Sequence, residues 1–592
     1  MSNQPSTAPP ARAEPGTPGP APAHGGAHAV AAARRHGAET MFTLSGGHVF
    51  PLYDGAVRAD PPMRIVDVRH EQTAVFAAEA TARLTRATGL AVLTAGPGVT
   101  NGISAITTAH FNASPVVVIG GRAPDYRWGS GSLQEFDHPA LLRPVTKRAW
   151  TEHQAAGVGP AVDEAFRLAA EPHRGPVFLD VSLEALFGTA GEVTAVPAVP
   201  PGAAGGPPEA AAGGLPGAEA ETSAAPDSEA LNRIAELLAG ASRPVLVLGS
   251  DVWLGGAAAA ARDAAEQLRL PVVANGQGRG ILPAGHDLLV TRARSLAFGE
   301  ADLVIVAGTP LDFRLGYGEF GGRNGAPRAA VVHVADAASA LASHCELAAS
   351  AAGDLAAFFT GLAGAAGQAG VTPRGAAWTA SWLPALAEAS RAAVSADAAL
   401  LASDAMPIHP MRIYGELAAV LDSDAVVIGD GGDFVSYAGK YIEPRQPGGW
   451  LDPGPYGCLG TGLGYAIAAR IARPSAQVLL LLGDGAAGFS LMDADTLVRH
   501  RLPVVMVCGN NGIWGLEKHP MQALYGYDVA AELQPGCRYD QVVAALGGAG
   551  EIVTEPGGIG PALRRAFSSG VPYLVNVITD PAIAYPRSTT GV

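Results

Sequence analysis

Cysteine is scarce. The chain has four in 592 residues, Cys345, Cys458, Cys508 and Cys537, far apart and without a CxxC pair. That usage excludes a disulfide framework and a thiolate zinc site, and it fits a reducing compartment. Positive charge is short as well: 39 Lys and Arg stand against 54 Asp and Glu, a net charge of −15. A surface of that sign excludes non-specific nucleic-acid binding. No apolar run reaches the ~20 residues that cross a bilayer. Residues 1–26, rich in Pro, Ala and Gly, lack the apolar centre of a signal peptide and read as a disordered tail. These absences predict a soluble, cytoplasmic protein with neither nucleic acid nor membrane as a partner.

What is present is material for cores. Hydrophobic residues make up 48% of the chain, and its length exceeds what one core can organise, so about three domains are expected. Residues 27–187 read as a first α/β domain. There Ala29–Arg35 is helical in composition, FTLSGGHVFPLYDG supplies a strand and a glycine turn, and RIVDVRHEQTAVFAAEATARLT runs from a strand into a helix with Glu71 in its first turn. LAVLTAGPGVTNG and SPVVVIGG add two apolar strands about a Gly-Pro-Gly turn. Such alternation predicts a parallel, doubly wound sheet. Residues 188–225, rich in Pro, Gly and Ala and without periodicity, read as a linker. A central α/β unit, 226–365, has strand-like runs at 243–249, 270–275, 301–308 and 329–336. An Ala-rich stretch, 366–404, reads as a second linker, and 405–592 as a third α/β domain. The predicted fold is therefore three consecutive doubly wound parallel-sheet domains.

The third domain holds the stretch with the sharpest chemistry, VLLLLGDGAAGFSLMDADTLVRHRLPVVMVCGNNGIWG, from Val478 to Gly515. Five apolar residues end in Gly483-Asp484-Gly485, a helix-like segment follows, and a second apolar run ends near Asn510-Asn511. This is the pattern of adjacent parallel strands in a βαβ unit, and the carboxyl ends of such strands are where open α/β sheets bind ligands. Asp484 and Asn511, 27 positions apart, are predicted to lie side by side as hard oxygen ligands, which suit Mg²⁺ better than zinc. Glycines there let backbone N–H groups approach a phosphate. The plain alternative is a surface Asp turn and an Asn that ends a strand.

Gly-Asp-Gly followed at this spacing by Asn-Asn resembles the signature of thiamine-diphosphate enzymes. The resemblance implies that Asp484, Asn511 and the carbonyl of Ile513 hold Mg²⁺ on the cofactor's diphosphate, with Gly483, Gly485 and Ala486 beside it. RHEQTAVFAAEATA followed by TAGPGVTNG is similar to the first domain of that family, which gives Glu71 the hydrogen bond to N1′ of the aminopyrimidine. Outside that context an acid at a helix start is commonly only a dipole partner. Gly457-Cys458-Leu459-Gly460 matches the segment that clamps the aminopyrimidine. By that match the Gly457 carbonyl accepts from the 4′-amino group, the Leu459 amide donates to N3′, and the Leu459 side chain wedges beneath the cofactor. A core-filling role for Leu459 predicts the same burial, and the flanking glycines favour the clamp. In the segment 429–434, Gly432, Asp433 and Phe434 are expected to lie along the diphosphate. Glu71 and Asp484 belong to different domains, which in this family meet across a subunit interface, so a homodimer or homotetramer is implied.

Within the family the likeness is to acetolactate synthase (acetohydroxyacid synthase) catalytic subunits, in their actinobacterial acetolactate-synthase-like branch. It is carried by FTLSGGH, GSLQEFDH, WLDPGPYGCLG and NNGIWGLEKHPM. Gln134-Glu135 with Thr146-Lys147 resemble the FQE…TK segment of synthases, Leu133 replacing the phenylalanine, and this puts Gln134 at the acceptor side of the cofactor. The implied reaction, a step in isoleucine and valine biosynthesis, decarboxylates pyruvate and joins the remainder to a second 2-oxo acid; a regulatory subunit is a further partner that the resemblance allows. Arg314 aligns with a functional arginine of synthases, although a structural ion pair explains it as well. Two departures bear on the substrate. His519-Pro520-Met521 stands where synthases carry Gln-Trp-Gln, and the central segments 275–286 and 295–318 are as similar to 2-hydroxyacyl-CoA lyases and oxalyl-CoA decarboxylases. The central domain is thus left open to a structural FAD or an ADP, and a C–C lyase is the alternative activity. A non-catalytic thiamine-diphosphate-binding subunit is a third reading, disfavoured because Glu71, Asp484 and Asn511 are all present.

Overall fold

The computed structural model describes residues 23–191, 225–371 and 377–585. Runs rich in Val, Leu and Ile form the strands, as expected of parallel sheets covered on both faces by helices. The N-terminal sheet contains β1 (Thr40–Thr43), β2 (Arg64–Asp67), β3 (Gly89–Leu93), β4 (Val116–Arg122), β5 (Ala149–Glu152) and β6 (Val177–Ser182), in the order β2-β1-β3-β4-β6-β5. The central sheet contains β7 (Pro244–Leu248), β8 (Val272–Ala274), β9 (Leu303–Ala307), β10 (Ala330–Ala335) and β11 (Ala349–Ala352), in the order β11-β10-β9-β7-β8. The C-terminal sheet contains β12 (Val426–Asp430), β13 (Trp450–Leu451), β14 (Val478–Gly483), β15 (Val505–Asn510), β16 (Ala549–Val553) and β17 (Tyr573–Ile578). Its order, β13-β12-β14-β15-β17-β16, is that of the N-terminal sheet. All strand pairs in the three sheets are parallel.

In each sheet the winding reverses between two neighbouring strands, β1 and β3, β7 and β9, β12 and β14. Such switch points open the crevice in which doubly wound folds hold ligands. The N- and C-terminal domains also share a core. The helix Glu71–Thr85 packs along the helix Thr461–Ala472, with Val75 and Phe76 in one apolar cluster with Leu463, Tyr465 and Leu480. Gly464 permits the approach: a Cβ there would come within 2.7 Å of Phe76. The central domain has its own cluster, built on β7, β9 and the helix Leu355–Gln368.

Three expectations need correction. Residues 23–26 are not tail. The first helix spans Gly25–Arg35, and the His24 ring caps it by accepting from the Ala27 N–H. Gly25 and Gly26 lie against Ala185 and Pro51 more closely than any side chain would allow, so their glycines mark close packing. Residues 1–22 lie outside the described residues, as do 192–224 of the expected first linker; Thr189 pairs back onto His24. The expected second linker holds a 20-residue helix, Trp382–Leu401. Ala-rich composition favours helix, and Trp378 and Trp382 fix the segment to the central domain by donating to the carbonyls of Arg269 and Pro244 at 3.0 and 3.1 Å. Among the described residues no helix is long and apolar enough to cross a membrane.

Candidate active site

The C-terminal switch point gathers most of the predicted residues. Asp484 begins the helix Asp484–Ser490 directly after β14 and is 4% exposed. Its two oxygens accept from the N–H groups of Gly485 at 3.0 Å and Gly512 at 2.6 Å. Burial pushes its carboxyl up to about 6, partly offset by these N–H donors, and among the described residues it forms no ion pair. A buried carboxylate without a counter-charge is costly unless a cation completes it. The turn 511–513 wraps this carboxylate: the Asn511 side-chain oxygen accepts from the Ile513 N–H at 3.2 Å. Asn510, by contrast, turns into the core, where its amide donates to the Cys537 carbonyl and to Asn576.

The adjoining loop after β12 supplies the opposite wall. Gly431 has φ +115°, and a Cβ on it would lie 3.3 Å from both Ala486 and the Gly483 nitrogen. Asp433 starts the helix Asp433–Tyr441. A Cβ on Gly515 would fall 2.7 Å from the Asp433 carboxylate and 3.9 Å from the Asn511 amide, which places those two side chains around one point. Phe434 packs its ring on Gly509, and its carbonyl accepts from the Tyr414 hydroxyl. Gly432 lies against Leu516, and Gly485 against the Trp514 ring. Apart from their chain neighbours, no atom of the described residues comes within 4 Å of where side chains would begin on Gly457 and Gly483. The cradle is thus open beside its two carboxylates and amides, the donor set a phosphate-bound Mg²⁺ requires.

The segment 457–460 is tied to this cradle by a carboxylate of the 429–434 segment. Asp430, fully buried at the end of β12, accepts from the N–H groups of Gly460 and Gly462 at 3.0 and 2.9 Å. Leu459 is partly buried, while Leu463 one turn later is 0% exposed.

Glu71 stands at the neighbouring helix start, 7% exposed, and its carboxylate accepts from the Asn101 amide at 3.0 Å. The Gln72 amide nitrogen would lie 2.9 Å from a Cβ on Gly460. Asp493, in the turn that follows the Asp484 helix, secures the junction by accepting from the Arg69 N–H at 2.8 Å and the Thr73 hydroxyl at 2.7 Å. Asn101 follows the Gly-Pro-Gly turn in TNG, a visible polar position; nothing in the sequence marks Asp493. Gln134 is set apart at the N-terminal switch point. Arg314 is engaged by its neighbour Asp312 through bonds at 3.0 and 2.7 Å, the structural ion pair. His519, Pro520 and Met521 lie part-exposed on the helix Gly515–Tyr525.

Three family descriptions match the chain in order. The N-terminal TPP binding domain of thiamine pyrophosphate enzymes covers residues 23–141, the central domain 231–362 and the C-terminal TPP binding domain 430–577. The chain belongs to the thiamine pyrophosphate enzymes. It is 49% identical over 554 residues to the "Probable acetolactate synthase" of Mycobacterium bovis and, equally, to the "Acetolactate synthase large subunit IlvG" of Mycobacterium tuberculosis, covering 93% of this chain and 95% of each relative. It is 33% identical over 561 residues to the human "2-hydroxyacyl-CoA lyase 2", covering 90% of this chain and 85% of the relative.

Proposed function

We propose that the protein is an acetolactate synthase that decarboxylates pyruvate and joins the remaining two-carbon unit to a second 2-oxo acid, in branched-chain amino acid biosynthesis. The observation that carries this reading is the buried Asp484 carboxylate, in no ion pair among the described residues and beside Asn511 and two open glycines, in a chain half identical to proteins named for that activity. Asp484, the Asn511 side chain and the Ile513 carbonyl would hold Mg²⁺, with Gly432, Asp433 and Phe434 along the diphosphate. When bound, thiamine diphosphate supplies the nucleophilic carbon and the electron sink for decarboxylation. Glu71, oriented by Asn101, holds a proton at the aminopyrimidine. The Gly457 carbonyl and the Leu459 amide orient that ring, and Leu459 supports it from below.

The flavin or ADP left open for the central domain would meet acidic and basic side chains together near its switch point. Asp251 and Asp336 bring two carboxylates within 4.8 Å of each other and of His173. His173 and Arg174 are both bonded to Asp336, at 2.7 and 3.2 Å, and burial with Asp336 nearby pushes Asp251 up to about 7. An anionic pyrophosphate there would meet the Asp336 carboxylate together with the Arg174 guanidinium, so these groups leave FAD or ADP open. The reading includes a cytoplasmic homodimer or homotetramer, supported by the half-exposed side chains of Phe111, Tyr456, Phe489 and Met492, apolar surface of the kind that subunits cover. A regulatory subunit stays an allowed partner.

The test is a product assay with Mg²⁺ and thiamine diphosphate, offering pyruvate or a 2-hydroxyacyl-CoA. Acetolactate is expected, and the flavin absorbance of the preparation tells whether the central domain holds FAD. Glu71→Gln should lower turnover by about 10²–10⁴-fold with the cofactor still bound. Cleavage of the acyl-CoA without acetolactate would transfer the protein to the lyase reading.

A further inference from the structure

The stretch GSLQEFDH ends in His138, a side chain to which the proposed function gives no role. His138 opens the short helix His138–Leu142 and is 0% exposed. Its Nε2 accepts from the N–H of Gly96 at 2.9 Å, and its Nδ1 lies 3.0 Å from the carboxylate of Asp180 in β6, which is also 0% exposed. The other oxygen of Asp180 accepts from the Arg122 guanidinium at 3.1 Å and the Thr151 hydroxyl at 3.5 Å. A carboxylate this deep in the core is stable when its lone pairs are taken up in this way.

The far end of this network is a backbone group. Gly96 has φ +60° and ψ −116°, a conformation that side chains disfavour, and a Cβ on it would lie 2.8 Å from that of Gln134. Its N–H is buried and is taken up by the His138 ring; a buried N–H without an acceptor is costly. Gly96 in turn anchors the turn that follows. Its carbonyl accepts from the N–H groups of Val99 and Thr100 at 3.1 and 3.0 Å, and the Pro97 carbonyl accepts from that of Asn101 at 2.9 Å. The Asn101 amide then donates to Glu71 at 3.0 Å. A continuous series of bonds thus runs from Arg122 through Asp180, His138 and the 96–101 turn to the Glu71 carboxylate.

We propose that His138 and Asp180 are positioning residues for Glu71: the pair fixes the Gly96 N–H, and through the turn it sets where Asn101 presents its amide to the Glu71 carboxylate. The inference rests on the function proposed above, in which Glu71 holds a proton at the aminopyrimidine, and adds the support behind that carboxylate. The direction of the bonds follows from the donors. Because the Gly96 N–H donates, Nε2 holds a lone pair, so the ring carries its proton on Nδ1 and donates it to Asp180. Asp180 thereby selects the tautomer that can accept from Gly96. A histidine that only filled the core would need neither partner.

Asp180→Asn tests the tautomer without changing size. The one oxygen of the asparagine stays with Arg122 and Thr151, its amide turns to Nδ1, and the ring proton moves to Nε2, against the Gly96 N–H. In cofactor-free protein, amide hydrogen exchange across the 94–102 segment, followed by mass spectrometry, should quicken about tenfold. In holoenzyme with Mg²⁺ and thiamine diphosphate, turnover of pyruvate should fall about ten- to a hundredfold with KM within about twofold. His138→Gln, whose side-chain oxygen can accept from Gly96 with no tautomer to set, should keep both readouts within about threefold of wild type. Added to Asp180→Asn, it should restore them although the melting temperature stays lowered. Should Asp180→Asn fail to fold, His138→Leu against His138→Gln gives the same comparison. Wild-type turnover and exchange in Asp180→Asn would overturn the proposal. So would a double variant as slow as Asp180→Asn, because a merely structural loss is not repaired by a second one. A wild-type protein that forms no acetolactate would instead overturn the function on which the inference rests, and exchange in the cofactor-free protein would still decide whether His138 holds the turn.

Discussion

Asp484 shows how a single residue reports its missing partner. A carboxyl raised from its ordinary value near 3.8 to about 6 binds a proton in the folded state more readily than in the unfolded chain. In metal-free protein its ionisation therefore lowers stability as pH rises through that window, by about 3 kcal/mol at most above it. Metal binding needs the ionised form, so protons and Mg²⁺ compete. Stabilisation by Mg²⁺ with thiamine diphosphate should weaken as pH falls through about 6. Asp484→Asn should raise the melting temperature of metal-free protein at pH 7.5 and abolish the gain from Mg²⁺; a variant still stabilised by Mg²⁺ would place the metal elsewhere. Asp484 and Asn511 were legible because glycine and asparagine at strand ends are local signals. Asn101 was not, since it matters through Glu71, 30 positions away.

At the scale of elements, the junction of the N- and C-terminal domains within one chain rests on two packed helices, Glu71–Thr85 and Thr461–Ala472. Asp493 locks that junction, although 424 positions separate it from Arg69. Asp493→Ala would leave a buried hydroxyl and an N–H unpaired, a loss of about 1–3 kcal/mol, measurable by urea unfolding. Because the Glu71 helix start would loosen, cofactor affinity should fall along with stability; a variant with unchanged affinity would remove Asp493 from the positioning of Glu71. Strand-like runs of Val, Leu and Ile predicted their strands well. β11, with the sequence ASAA, escaped notice because small residues carry little strand propensity and only the β10 edge makes it a strand. The helix Trp382–Leu401 looks like linker in sequence because its alanine repeats show no apolar stripe; Trp382 and the preceding Trp378, which anchor the segment, are the better signal.

At the scale of the molecule, two domains of one strand order face each other through a shared core, and each brings one end of a site to its own switch point. The order of domains was legible from motifs. The identity of the two strand orders was not, since topology depends on which strands pair rather than on their sequences. Glu71 and the Asp484 pocket are proposed to grip one cofactor from two different protomers, a claim that mixed oligomers test directly. Glu71→Gln and Asp484→Ala chains, each inactive alone, should on co-expression assemble hybrids with one intact site, recovering about a quarter of wild-type activity under random pairing in twos. Hybrids that assemble yet recover no acetolactate synthesis would contradict the shared site.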